Sequence, residues 1–408
     1  MNIFYKIMNI SKLKTTALIA GLMLASCGQK EPQSGILVDD TKYQTITLED
    51  MASELEVFKI RTDPSVLIGE FDDMQIHDDY IFLSDYERVY CIENDSVIGV
   101  LDKRGRGHGE YTNIDRWGYL PGENALYVWN NKSMLYYSVP DFQFIRKEES
   151  ELIPEAFYGD ECFFIDNDMT DSLATIHFWL SKISNTTGQK TRLMPISYLS
   201  NGFLDGNQQI TVSDDGIYFS VCGRENKLML YDGSGLREVA SVRYDDKFAI
   251  PEKIDQYERL HLDLSVSNGT LAEEMNKLTE YNAYFHNKDE NTKRAFGCFC
   301  PTFADESWSF WHFHHESQLY ATFYTIVNGT EACNYLITIP GLAEMDEPAT
   351  FAPCTMHNGY VYCLYQGNRE MLTDPDTEPS PLASRILELA PDSNDDEALI
   401  VLRARMRL

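Results

Sequence analysis

The chain has 408 residues, 43% hydrophobic and 12% aromatic, enough apolar material to bury a sizeable core. Its 34 basic side chains stand against 64 acidic ones, a formal charge of −30. That balance disfavours nucleic acid as a partner, because such binding rests on Lys and Arg neutralising phosphates.

The first residues carry Lys6, Lys12 and Lys14 with no acid, then the apolar run Ala17 to Leu24, then Ala25 and Ser26 before Cys27. The run is far shorter than the roughly 20 residues of a membrane-spanning helix, so residues 1–26 read as a cleaved export signal. Leu24-Ala25-Ser26-Cys27 resembles the bacterial lipobox. That resemblance implies lipid on Cys27, stable attachment once more than one acyl chain is added, and a polar lipidated linker over 27–35. Gly28 in place of Asp implies the outer membrane, with the periplasmic and surface faces both open. No later segment is long and apolar enough to span a bilayer.

From residue 36 to 408 the chain repeats a turn rich in Asp, Asn and Gly followed by a short alternating strand. The copies are His77 to Leu83, Asp214 to Ser220, His357 to Cys363 and, more loosely, Pro121 to Trp129. Each predicts a hairpin, since Asp, Asn and Gly tolerate the positive φ of tight turns. Further strands follow at Arg88–Glu93 and Val97–Asp102, then at Ser133–Val139 and Phe142–Lys147, making four-stranded meanders some 45 residues apart. That period suits propeller blades, whose radial closure protects strand edges. Between Pro251 and Asp289 helical spacing predicts an inserted helical hairpin (251–289). Met371 to Pro381, acidic and proline-containing, predicts a loop.

Lys103-Arg104-Gly105-Arg106-Gly107-His108-Gly109-Glu110-Tyr111 is the densest run of cationic side chains in this acidic chain. Arg106 offers a bidentate fork for a carboxylate, Arg104, His108 and Glu110 add polar contacts, and Tyr111 or Trp117 would form an apolar platform. The alternative is structural: three glycines permit a sharp crossover, and the arginines pair with nearby acids. Strand pattern on both sides argues against a phosphate-cradling loop, which opens a helix.

Cys298, Cys300, His312 and His314 have types that suit zinc, but their one-residue spacing on aromatic strands reads as packing, and no metal or cofactor is expected. If Asn358-Gly359 is a two-residue turn, Cys354 faces Cys363 at a non-hydrogen-bonded position, where either a disulfide or two packed thiols fits.

The lipobox, the Gly105-Arg106-Gly107-His108-Gly109-Glu110-Tyr111 loop and the terminal strand Asn394 to Leu402 together resemble the six-bladed β-propeller lipoproteins of gut anaerobic Gram-negative bacteria. His108 departs from the proline usual there. The resemblance implies an all-β six-bladed propeller whose last blade is closed by an N-terminal strand, for which Tyr43 to Leu48 is the candidate. No Gly-x-Ser-x-Gly elbow or His-Glu-x-x-His helix occurs. The expected role is a non-enzymatic binding or scaffold lipoprotein for a glycan, peptide or protein partner. The alternative is an exported carbohydrate-active hydrolase or lyase, because fold does not decide between them.

Overall fold

The structure is a computed structural model. It describes residues 35–407 apart from 40–41, 64–65, 67–68, 72, 78–79, 170–175, 197–209, 214, 222–225, 245–294, 305–307, 316–317, 345–346 and 393–396. Cys27 and the expected helical hairpin at 251–289 lie outside the described residues. One compact unit spans Ile36–Leu408.

Six sheets follow one another along the chain as the blades of a β-propeller. Blade 1 is Asp73–His77, Tyr80–Ser84, Val89–Glu93 and Ser96–Leu101, from the innermost strand outward. Blade 2 is Arg116–Leu120, Ala125–Asn130, Ser133–Ser138 and Phe144–Glu149. Blade 3 runs from Ala156–Tyr158 to Lys190–Ile196, blade 4 from Ile210–Ser213 to Leu236–Tyr244, and blade 5 from Ala295–Ala304 to Glu331–Glu344. All four repeated sequence units fall at the turn between the first and second strands of a blade, in blades 1, 2, 4 and 6. Asn358 (φ 48) and Gly359 (φ 75) take the left-handed conformations that a two-residue hairpin requires.

Blade 6 consists of Thr355–His357, Tyr360–Gly367 and Ala398–Met406, closed on its outer side by Ala52–Lys59. The candidate Tyr43 to Leu48 is therefore not the closing strand. Gln44–Thr47 instead runs parallel to the outer strand of blade 5, with Gln44 beside Tyr335 and Thr47 beside Thr338. Both charge and packing suit the pairing that is seen. In the observed register Glu56 sits opposite Arg403 and Glu54 opposite Arg405, and both pairs form ion pairs, at 2.6 and 3.9 Å. Leu55 and Val57 alternate with these acids and pack on the core. Upstream, Ile36–Val38 lies parallel to the outer strand of blade 4. The chain thus straps three consecutive blade edges, covering the unpaired backbone that an edge exposes. The buried Asn334 side chain fastens the turn in this strap, donating to the carbonyls of Asp39 (2.9 Å) and Lys42 (3.0 Å) while accepting from Thr325 Oγ1 (2.7 Å).

The expected loop at Met371 to Pro381 is partly helical. Arg369–Leu372 forms one helical turn, and Pro381 opens the helix Pro381–Leu389. Proline there occupies the first helical turn, where its missing N–H costs nothing and its fixed φ suits the helix. Ser380 caps it by accepting the Ala383 N–H at 3.1 Å.

Candidate functional site

The loop 103–111 joins the outermost strand of blade 1 to the innermost strand of blade 2. Its base is a short parallel bridge between Arg104 and Tyr111. The Tyr111 N–H donates to Lys103 O (3.1 Å) and the Gly105 N–H to Tyr111 O (2.8 Å). The Tyr111 ring is fully buried, and its hydroxyl lies 2.8 Å from Glu87 O and 3.0 Å from Leu101 O, both acceptors. Burial raises the phenol to about 12, so it stays a donor at every physiological pH.

Tyr111 is therefore the pin of the loop and not a ligand platform. Trp117 is corrected in the same way: it is 6% exposed and packs in the core between blades 1 and 2, its ring centroid 6.4 Å from that of Phe82. The reason is periodicity. Trp117 points to the buried face of an inner strand, and Tyr111 ends a crossover whose backbone polar groups need an internal partner.

The other predicted residues remain at the surface. Arg104, Arg106, His108 and Glu110 are exposed. Arg104 is committed to an ion pair with Glu87, both side chains about half exposed. His108 stands edge-on to Phe144 of blade 2, centroids 4.8 Å apart. Arg106 has no ion-pair partner among the described residues. Glu110 folds back on the loop: its carboxylate accepts the Gly107 N–H at 2.7 Å, and its own N–H donates to Gly107 O at 3.3 Å. Of the three glycines only Gly109 needs its conformational freedom, with φ +73 and the Phe144 ring against its α-carbon. Tyr137 OH donates to Gly109 O at 3.2 Å.

Sequence reasoning passed over the groups that hold this loop. Asp85, 6% exposed, accepts the N–H groups of Arg88 (2.8 Å), Gly69 (3.1 Å) and Glu87 (3.3 Å) and the Tyr90 hydroxyl (2.5 Å). It thereby fixes the turn that presents Glu87 to both Arg104 and Tyr111. The signal available was an Asp three residues before an Arg between two strands, the pattern of a side chain that bonds its own turn. A second unanticipated group is Glu155, at the entry to the innermost strand of blade 3, 3.6 Å from Arg116 at the start of blade 2's inner strand. Burial pushes its carboxyl above the ordinary range, with Arg116 opposing.

The remaining sequence candidates do not join this site. Cys354 and Cys363 occupy the predicted hairpin, in which Thr355 pairs with Tyr362 and His357 with Tyr360. The structure holds both as thiols and not as a disulfide. The Cys354 N–H bonds to Tyr362 O at 2.7 Å, one step off the hairpin count, and the two side chains pack in different clusters of the core. In the hairpin of blade 5, Cys300 sits opposite His312 and Phe296 opposite His314, with a bulge between that takes Cys298 out of register. The side chains of that quartet lie outside the described residues. Among the described residues, no helix is long and apolar enough to cross a membrane.

The family profile described as a six-bladed β-propeller matches residues 28–260. Among solved structures, a Bacteroides fragilis protein described as exported aligns with 13% identity and a TM-score of 0.61, covering 91% of this chain and 99% of its own. A member of the DUF4221 family from Bacteroides vulgatus aligns at 9% identity and a TM-score of 0.42, covering 86% of this chain and 96% of its own. At such identities the first likeness speaks for the fold alone. A comparison with curated proteins found no match.

Proposed function

We propose that this chain, which belongs to the six-bladed β-propeller family, is an exported binding module that holds a glycan, peptide or protein partner by an anionic group. It is anchored at the outer membrane through lipid on Cys27. The observation that carries the binding role is the division of labour within the loop 103–111. Tyr111, Gly109 and the Arg104–Glu87 pair spend themselves on its shape, whereas Arg106 stands exposed beside His108 with no ion-pair partner among the described residues. A cation left unpaired in a chain of formal charge −30 has many acids to choose from. A rigid loop also loses little conformational freedom on binding, so more of the contact energy appears as affinity. The guanidinium presents two parallel N–H donors to a carboxylate or similar oxyanion.

The test is a screen of the purified protein on arrays of acidic and neutral glycans and of peptides with free or amidated C-termini. Arg106→Ala should weaken an anionic hit by about 1.5–3 kcal/mol, the scale of a charge-assisted hydrogen bond, with the melting temperature unchanged. Hits that are indifferent to Arg106, or lost only together with stability, would leave the loop a fold element.

A further inference from the structure

We infer that the group this loop takes is a carboxylate, and that Glu110 occupies its seat until a ligand carboxylate displaces it; the inference rests on the binding role proposed above. The seat is the strip of bare backbone at Gly105 and Gly107. A methyl on Gly105 would overlap Glu110 Oε2 and stand 2.6 Å from its Cδ, and one on Gly107 would stand 2.9 Å and 3.0 Å from the same atoms. The carboxylate therefore lies in a space that only the Gly-x-Gly pattern leaves open, and it takes the Gly107 N–H at 2.7 Å.

The present occupant is held lightly. Glu110 is exposed, and among the described residues no cation lies in ion-pair range of its carboxylate. Its hold is one backbone hydrogen bond to a solvent-accessible group, a modest net interaction. Arg106 lies between the two glycines in sequence and does not pair with Glu110. A ligand carboxylate that replaced Glu110 would take the same N–H, and the exposed Arg106 side chain, one residue away in sequence, would have to turn onto it to add the guanidinium. The occupant itself names the class, since the group held on the bare backbone of Gly105 and Gly107 is a carboxylate. Self-occupancy also sets a threshold: a simple anion competes poorly with a tethered carboxylate, so a partner must bring further contacts to open the seat.

The Gly107 amide reports the seat, and protein labelled with 15N-glycine makes it visible. Acetate and inorganic phosphate are the probes, titrated into wild type, Glu110→Gln and Glu110→Ala. Glutamine removes the charge but keeps an oxygen able to accept the Gly107 N–H, whereas alanine empties the seat. The expected result is saturation of the Gly107 shift by acetate at about tenfold lower concentration in Glu110→Ala than in wild type, with Glu110→Gln closer to wild type and phosphate weaker throughout. Equal gains in Gln and Ala would reduce Glu110 to a repelling charge and overturn the inference, as would no gain in Ala. The Gly109 amide and wild-type titration at high acetate control for a collapsed loop. If acetate binds at Gly107 but Arg106→Ala leaves it unchanged, the binding role itself fails, which is a separate outcome.

Discussion

Gly109→Ala isolates the crossover loop's backbone from its side chains. Gly109 has φ +73, and an added Cβ would sit 2.6 Å from Phe144 Cγ and 2.8 Å from its Cδ2, well inside the roughly 3.5 Å of ordinary carbon contact. The left-handed backbone costs a non-glycine residue about 1 kcal/mol, and forcing the Phe144 ring to shift within a packed cluster adds about 1–3 kcal/mol. A loss of about 2–4 kcal/mol is therefore expected. Gly107→Ala is the internal comparison: its φ is not positive, and the Cβ meets only the mobile end of Glu110 at 2.9 Å. It should stay within about 0.5 kcal/mol of wild type, as surface changes do. Urea unfolding of both variants with a common m-value reads the difference. A Gly109→Ala protein as stable as wild type, or a Gly107→Ala protein as damaged as Gly109→Ala, would refute the claim that Phe144 and the positive φ shape this loop.

Burial raises the carboxyl of Glu155 above its usual 4.5, with Arg116 opposing. The native protein then holds that proton more tightly than the unfolded chain, so the stabilising contribution is present below about 4.5 and is lost as pH rises through the folded value. Glu155→Gln should accordingly gain on wild type as pH rises above about 4.5 in urea titrations, and a pH-independent difference would contradict the assignment. Asn334→Leu removes the donor that fastens the strap turn and leaves the Asp39 and Lys42 carbonyls without it. A cost of about 1–3 kcal/mol is expected, with faster amide exchange at Ile36–Val38 and Gln44–Thr47; unchanged exchange there would deny Asn334 this role. Cys27→Ser should abolish palmitate labelling and release the protein from the membrane fraction, whereas labelling that persisted would place the lipid elsewhere.

The hairpins were legible in the sequence because a tight turn is a local event. Asn358-Gly359 needs only its own two residues to reach positive φ, and the alternation of Tyr360 to Cys363 marks a pleated strand without reference to the rest of the chain. Repetition of such units at a blade-sized spacing suits radial closure. The loop at 103–111 was visible as a reversal of charge, and Arg106 and His108 are exposed there. Its partners were not visible. Glu87, Asp85, Tyr137 and Phe144 reach it from neighbouring turns and blades, and an acidic chain offers too many equivalent acids for sequence to say which one takes Arg104.

Sequence alone thus determined strand content, turn positions and the repeating unit, all consequences of φ, ψ preferences and a two-residue alternation. Tertiary structure decided the rest, through contacts between distant segments. Ala52–Lys59 closes the ring in place of Gln44–Thr47, with Leu55 and Val57 reaching the core and Glu54 and Glu56 meeting Arg405 and Arg403 across more than 300 residues of chain, a match that no local pattern announces. Tyr111 became a buried pin by donating to the Leu101 and Glu87 carbonyls, one before the crossover and buried, the other in an adjacent turn. The same residue types, read without their neighbours, look like a platform for a ligand.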